Sequence, residues 1–193
     1  MYLFFDTESA GKPRSWKAPA TDTFNWPRMV QIAWLLYDKD RILIEKQLFT
    51  IQPEGYEIPY EVERLHGIST DKAREEGVPL KEALTAFLAV LEKADYLIAH
   101  NLNLHTHVLG AELYRKSMDH QKLQRPEQYC TMQEGTYFCK LPGKGGRFKW
   151  PTLMELHIKL FQARYKRESA ITDVAVGALC FFKLVDIEAI DIF

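Results

Sequence analysis

Strand patterns crowd into the first 51 residues of the chain. Helical patterns alternate with short apolar runs after that, and this order points to an α/β fold. Tyr2 to Phe5 is an apolar run suited to a buried strand. Met29 to Tyr37 (MVQIAWLLY) and Ile42 to Ile51 read as two more strands, with Asp38-Lys39-Asp40 as the hairpin turn between them. Residues 9–27, rich in Ser, Lys, Pro and Thr, carry no periodicity and read as a long loop, as do 53–59. Leu80, Leu84, Phe87, Leu88 and Leu91 recur at helical spacing behind Pro79. Strand candidates Tyr96 to Ala99 and Gln128 to Thr131 then flank a helix over Leu104 to Arg115. Leu153, Leu156, His157 and Leu160 mark a helix after Trp150-Pro151, and Ala170 to Leu184 is the last one.

With 193 residues, 47% of them hydrophobic, the chain is expected to form one domain over 1–193 with a full core. Lys and Arg number 25 against 26 Asp and Glu, a formal net charge of −1. That balance excludes a polybasic DNA-coating protein and an acidic disordered chain, but not a nuclease with local basic groups. Cys130, Cys139 and Cys180 lack metal-finger spacing and read as reduced thiols of an intracellular protein. The start, MYLFFDTES, has no basic segment of a signal peptide. The longest apolar run, Ile32 to Tyr37, is too short for a bilayer, so a cytoplasmic protein is expected.

Asp6 and Glu8 close the first strand as Asp-Thr-Glu. Residues i and i+2 of a strand share a face, so two carboxylates point the same way at the end of a central strand. Their repulsion is relieved by a divalent cation, and hard oxygen ligands suit Mg²⁺ or Mn²⁺. Two solvated acids at a strand end are the bland alternative. Asp173 has Ala170, Val176, Gly177 and Cys180 as helical neighbours, which turns it inward, where a carboxylate needs a partner. A first-turn acid favoured by the helix dipole accounts for it equally well.

His100-Asn101-Leu102-Asn103-Leu104-His105 follows a strand and opens a helix. His105 shares a face with Leu109 and Leu113 and so faces inward or into a cleft. His107 lies about 200° around the helix from it, which argues against a two-histidine zinc site. Lys140 to Trp150 gathers Lys140, Lys144, Arg147 and Lys149 with glycines, Phe148 and Trp150, a loop suited to phosphates and to stacking a base, or simply to solvent. It lacks the Gly-x4-Gly-Lys-Ser/Thr of a phosphate-binding loop. Arg164, Lys166 and Arg167 are expected at the cleft rim, offsetting its acids. Trp26 is either a further stacking group or a residue packed under its loop.

These elements together resemble the DEDD superfamily of 3′–5′ exonucleases, and within it the proteins related to the proofreading (epsilon) subunit of bacterial DNA polymerase III. The first family motif, Asp-x-Glu-Thr-Thr-Gly, is matched by Asp6-Thr7-Glu8-Ser9-Ala10-Gly11. The second, His-Asn-x-x-Phe-Asp, is matched by His100 to His105, and the third, His-x-Ala-x-x-Asp, by Glu168-Ser169-Ala170-Ile171-Thr172-Asp173. Leu65-His66-Gly67-Ile68, Tyr129-Cys130-Thr131-Met132 and Leu153-Met154-Glu155-Leu156 are smaller echoes. The resemblance covers Tyr2 to about Leu184 and implies a ribonuclease H-like fold. That fold has a five-stranded mixed sheet of order 3-2-1-4-5 with strand 2 antiparallel, flanked by helices.

It also implies a two-metal site. Asp6, Glu8 and Asp173 are then the metal ligands, and Ser9, Ala10, Asn101, Lys144, Arg147 and Lys149 are candidates for nucleic-acid binding. The departures fall on the catalytic positions. His105 stands where the family has the second-motif Asp, and Glu168 where it has the general-base His. The position four before Asp173, a tyrosine in a variant of the third motif, is Ser169. Imidazole is a poorer ligand for Mg²⁺ than for Mn²⁺ or Zn²⁺, and losing a general base costs ~10²–10⁴ in rate. Carboxylate and imidazole have also traded places, and a minority alternative has Glu168 reaching a metal and His105 serving the water. The resemblance therefore implies a metal-dependent 3′–5′ exonuclease on single-stranded DNA or RNA ends, impaired at His105 and Glu168. The alternatives are a silent pseudo-nuclease that holds such ends without cutting, and an interaction scaffold that keeps only the fold.

Overall fold

The computed structural model describes residues 1–192. Five strands form one mixed sheet: β1 (Tyr2–Ser9), β2 (Met29–Tyr37), β3 (Leu43–Thr50), β4 (Tyr96–Ala99) and β5 (Glu127–Cys130), in the order β3-β2-β1-β4-β5. β2 runs antiparallel to both β1 and β3, while β4 is parallel to β1 and β5 to β4. The carboxyl ends of β1, β4 and β5 thus lie at one edge, the place where ligands bind in α/β sheets. Between β2 and β3, Asp38 Oδ1 accepts from the N–H of Asp40 (2.9 Å) and Ile42 (2.8 Å), closing the expected hairpin turn.

Alternation along β1 separates two cores. Leu3 and Phe5 face α3 (Leu80–Leu91) and α4 (Leu102–Arg115), packing with Ile32, Trp34, Phe87 and Leu109. Phe4, with Leu35, Ile98 and Tyr129, faces α7 (Ala170–Asp186), whose Val174, Ala178, Phe181 and Leu184 cover it. Burying each such side chain contributes ~1.5–3 kcal/mol. Because Asp6 and Glu8 continue the Phe4 face, the strand's own pleat aims both acids at α7.

The long first loop is held down by α4. Arg28 Nε donates to Glu112 Oε1 (2.9 Å), and so does the backbone N–H of Met29 (2.8 Å). Arg115 Nη1 lies 3.2 Å from the same oxygen, and its Nη2 donates to the carbonyls of Thr23 and Trp26. Trp26 is buried under this loop, its indole N–H donating to the Pro19 carbonyl (3.0 Å) and its ring stacked on His107.

Three helices arise where the sequence shows no clear helical period. α1 (Tyr60–His66) and α2 (Thr70–Glu76) have seven residues each, too short to display one, and are fixed by their ends. Gly67, at φ 75°, caps α1, and Ser69 accepts from the Lys72 N–H to start α2. α5 (Thr131–Cys139) carries a helix-weakening Gly135, whose missing side chain makes room for Leu156 of α6 (Leu153–Phe161). A Cβ there would sit 2.8 Å from Leu156 Cδ1. α4 also begins two residues earlier than its periodicity suggests, at Leu102. All three cysteines are buried and free. Among the described residues, no helix is long and apolar enough to cross a membrane.

Candidate functional site

Asp6 and Glu8 from β1 and Asp173 from the first turn of α7 approach one another as the pleat dictates, and a cation already stands among them. The Arg167 guanidinium pairs with both Glu8 and Asp173. Its Nη1 also donates to the Leu65 carbonyl at the end of α1 (3.3 Å). Tyr165 Oη donates to the other Asp173 oxygen, Oδ1, at 3.1 Å. Asp6 and Asp173 share the wall of a cavity of about 20 Å³ with His100, Thr131 and Gly177. That volume accommodates one water-sized group.

Three carboxylates face one guanidinium, and two of them, Asp6 and Glu8, are held above the ordinary carboxylate range. Burial and the neighbouring Asp173 push Asp6 up to about 8, against the pull of Arg167. Burial and Asp6 raise Glu8 to about 7. Arg167 itself is held more firmly protonated, because its bonds to Asp173 and Glu8 outweigh the cost of its own burial.

His105 is buried and fully engaged. Its Nδ1 accepts from the Thr7 backbone N–H (3.1 Å), so the proton sits on Nε2. Thr7 Oγ1 lies 3.0 Å from Nδ1 as well. Nε2–H points to the His100 carbonyl (3.0 Å) and to Asp6 Oδ1 (3.2 Å). Burial holds the imidazole down at about 4, which keeps the ring neutral. Neither nitrogen offers a free lone pair, so His105 fixes β1 to α4 and gives Asp6 a hydrogen bond. Glu168 points the other way. Its side chain is 62% exposed and pairs with Lys166 (3.1 Å) in solvent.

A divalent ion does not fit this arrangement as it stands. Arg167 fills the space between Glu8 and Asp173, and His105 has no lone pair to give. Among the described residues no group of three or more His, Cys, Asp or Glu is disposed to hold a metal.

The remaining sequence candidates surround this cluster. Ser9 bonds the Gly11 carbonyl (2.9 Å), and Ala10 packs by its backbone and side chain against the Arg28 and Val30 region. Asn101 caps α4 in the left-handed region (φ 69°, ψ 50°) without using its side chain as the cap. Lys144 and Arg147 are exposed in the loop after α5, whereas Lys149 pairs with Glu155. His100 ties these parts together: Nδ1 meets Thr131 Oγ1 and Nε2 meets the Pro151 carbonyl, both at 3.0 Å.

The sequence puts Arg167 at the cleft rim, but its bridging position and the Tyr165 hydrogen bond have no local signature. Both residues lie in the irregular stretch before α7, where no periodicity reports direction. The one available signal was the cluster Arg164, Lys166 and Arg167 beside an acidic motif.

A scan against protein-family models gives no match, and neither does a search of curated proteins. Solved structures do resemble the chain. E. coli exonuclease I in complex with a dT13 oligonucleotide superposes with a TM-score of 0.74 at 19% identity, over 96% of this chain and 40% of that one. The same enzyme with a dA16 oligonucleotide gives 0.72 at 16% identity, with 96% and 40% covered. Apo exonuclease I gives 0.71 at 17%, with 96% and 42% covered. The chain therefore spans about two fifths of the length of these neighbours. At such identities the likeness is one of architecture, and the chain has the α/β, ribonuclease H-like fold found in exonuclease I.

Proposed function

We propose that this protein binds single-stranded nucleic-acid 3′ ends on a nuclease scaffold whose hydrolytic centre is closed by its own Arg167. The observation that carries this reading is the guanidinium bridging Glu8 and Asp173. In two-metal phosphodiester hydrolysis, one ion holds the attacking water and another steadies the leaving oxygen. Here a side chain that neither ionises water nor exchanges ligands holds two of the three acids. His105, neutral and doubly bonded, is a structural strut. Glu168, paired in solvent with Lys166, stands away from the reacting position. The motif order that resembles the proofreading exonucleases, and the single-stranded ligands of the exonuclease I complexes, support the choice of ligand class. The exposed Lys144 and Arg147 supply phosphate-binding charge.

The test has two readouts on one labelled single strand: anisotropy for binding, and nucleotide release with Mg²⁺ and then Mn²⁺. Salt-sensitive binding without release is expected, with a free 3′ end preferred over a circular strand. Release with Mg²⁺ that disappears in Asp6→Asn overturns the closed-centre reading and restores the enzyme. Failure to bind any strand overturns the ligand.

A further inference from the structure

Two tryptophans are exposed, and both line one cleft. Trp26 and Trp34 are buried, whereas Trp16 is 52% and Trp150 62% exposed. They border a cleft of about 520 Å³ together with Asn101, Asn103, Met132 and Gln133. Large indoles left in solvent on one concave surface are unusual unless something covers them. The cleft wall carries no charged residue. The side-chain amides of Asn101, Asn103 and Gln133 make no hydrogen bond within the described residues, so three donor–acceptor groups are unspent beside two aromatic plates. Asn101 holds a left-handed backbone conformation that an L-residue adopts at some cost, and its amide is left for the cleft rather than for capping α4.

The charge around the indoles identifies the occupant. Trp16 sits among Lys12, Arg14 and Lys17, with no acid from Ser9 to Thr21. Trp150 follows Lys140, Lys144 and Arg147, with no acid from Gly135 to Met154, while Lys149 beside it pairs with Glu155. In a chain of net charge −1, these are two basic segments meeting at one amide-lined cleft. Flat π-faces, unpaired amides and flanking cations are the three elements by which an unstacked base and its phosphates are held. A second cleft, bordered by Tyr137, Arg147 and Phe148, shares Gln133 and Trp150 with the first and extends the track. The position relative to the carboxylates is set by His100. It immediately precedes Asn101, bonds the Pro151 carbonyl next to Trp150, and offers its own carbonyl to His105 beside Asp6.

We infer that Trp16 and Trp150 form a clamp for one nucleobase of a single strand, whose edge is read by Asn101, Asn103 and Gln133 while the flanking basic loops take its phosphates. The clamp rests on the single-strand-binding reading above and adds base recognition to it. Its two halves come from loops 134 residues apart in sequence, between positions 16 and 150. Because paired amide groups match the adenine edge, adenine is the favoured base.

The experiment measures binding of the full chain to dA, dT and abasic deoxyribose-phosphate oligomers of equal length. Anisotropy and tryptophan quenching are followed in parallel. Both exposed indoles report stacking directly, since the other two tryptophans are buried. Expected are quenching by dA above dT and none by the abasic oligomer. Trp16→Ala and Trp150→Ala should each weaken binding about tenfold, in line with the stacking worth of a base. Trp150→Phe should retain most of the affinity. Both side chains are largely in solvent, so an unchanged circular dichroism spectrum and melting temperature confirm that the variants fold.

Strand binding that the alanine variants and the abasic oligomer leave unchanged overturns the clamp while leaving single-strand binding intact. Absence of binding to every oligomer removes both. Equal competition by an acidic peptide shows a charge surface without base recognition and likewise overturns the clamp.

Discussion

Two clusters of acids and arginines bracket β1 and β2, and they are composed in opposite ways. Around Glu112 one carboxylate meets two guanidiniums, Arg28 and Arg115, and the acid is fully buried. Around Asp6, Glu8 and Asp173, three carboxylates meet one guanidinium. The first cluster is over-supplied with cations, and it fastens the long first loop to α4. In the second, burial and then mutual repulsion, opposed by a single guanidinium, drive two of the acids up toward neutral pH. A buried acid with its cations in place builds structure. A group of acids with too few retains an electrostatic deficit, which perturbs the acidity of its members.

The sharpest contrast comes from Glu112→Ala. Removing one partner of a buried pair costs ~3–5 kcal/mol. For a chain of this size that lowers Tm by roughly 10 °C. Thermal unfolding checks it, and a loss below a few degrees would show that the loop holds without its staple. At the acidic cluster the largest effect is expected from Arg167→Ala. The variant should lose stability above neutral pH, since nothing then opposes the repulsion of Asp6, Glu8 and Asp173. Mn²⁺ should raise its Tm but leave the wild type unmoved. Equal stabilisation of both proteins would mean that Arg167 does not stand in the ion's place.

Introducing the residues of the exonuclease motifs that the chain resembles tests the same point by activity. The pair His105→Asp and Glu168→His leaves Arg167 across the acids, so it is expected to release no nucleotide. Adding Arg167→Ala should be needed for Mg²⁺-dependent release, measured on a labelled strand. A smaller effect follows from proton linkage. Asp6 and Glu8 have folded-state values raised to about 8 and about 7. The folded protein therefore holds more protons than the unfolded chain between roughly pH 4 and 8. Their stabilising contribution is complete below the unfolded value and is lost as pH rises through the folded one. Asp6→Asn should accordingly flatten that decline and raise Tm at pH 8. Smallest of all, Lys144→Ala should weaken strand binding uniformly across sequences and reduce the salt slope by about one.

The sheet was legible because its strands announce themselves locally. Tyr2 to Phe5, Ile32 to Tyr37 and Tyr96 to Ala99 are continuous apolar runs, and the strand order found is the one the resemblance to the DEDD exonucleases implies. α5 was not legible, because Gly135 lowers helix propensity for the sake of a contact with Leu156 that no local pattern encodes. At the site, the shared face of Asp6 and Glu8 follows from strand pleating alone. That His105 would be locked by Thr7 and the His100 carbonyl required β1 and α4 to be placed against each other.

The sequence by itself determined the α/β order and the two acids on one face of β1, since each depends on a period of two or 3.6 residues, and it left the inward turn of Asp173 balanced against a first-turn, dipole-favoured acid. The tertiary structure alone decided which cation sits among them. Arg167 and Glu168 are adjacent in an aperiodic segment, where nothing local says which side chain turns inward. The choice goes to Arg167 because the field of three converging carboxylates attracts a guanidinium and repels a fourth acid. That field exists only once β1 and α7 have packed together.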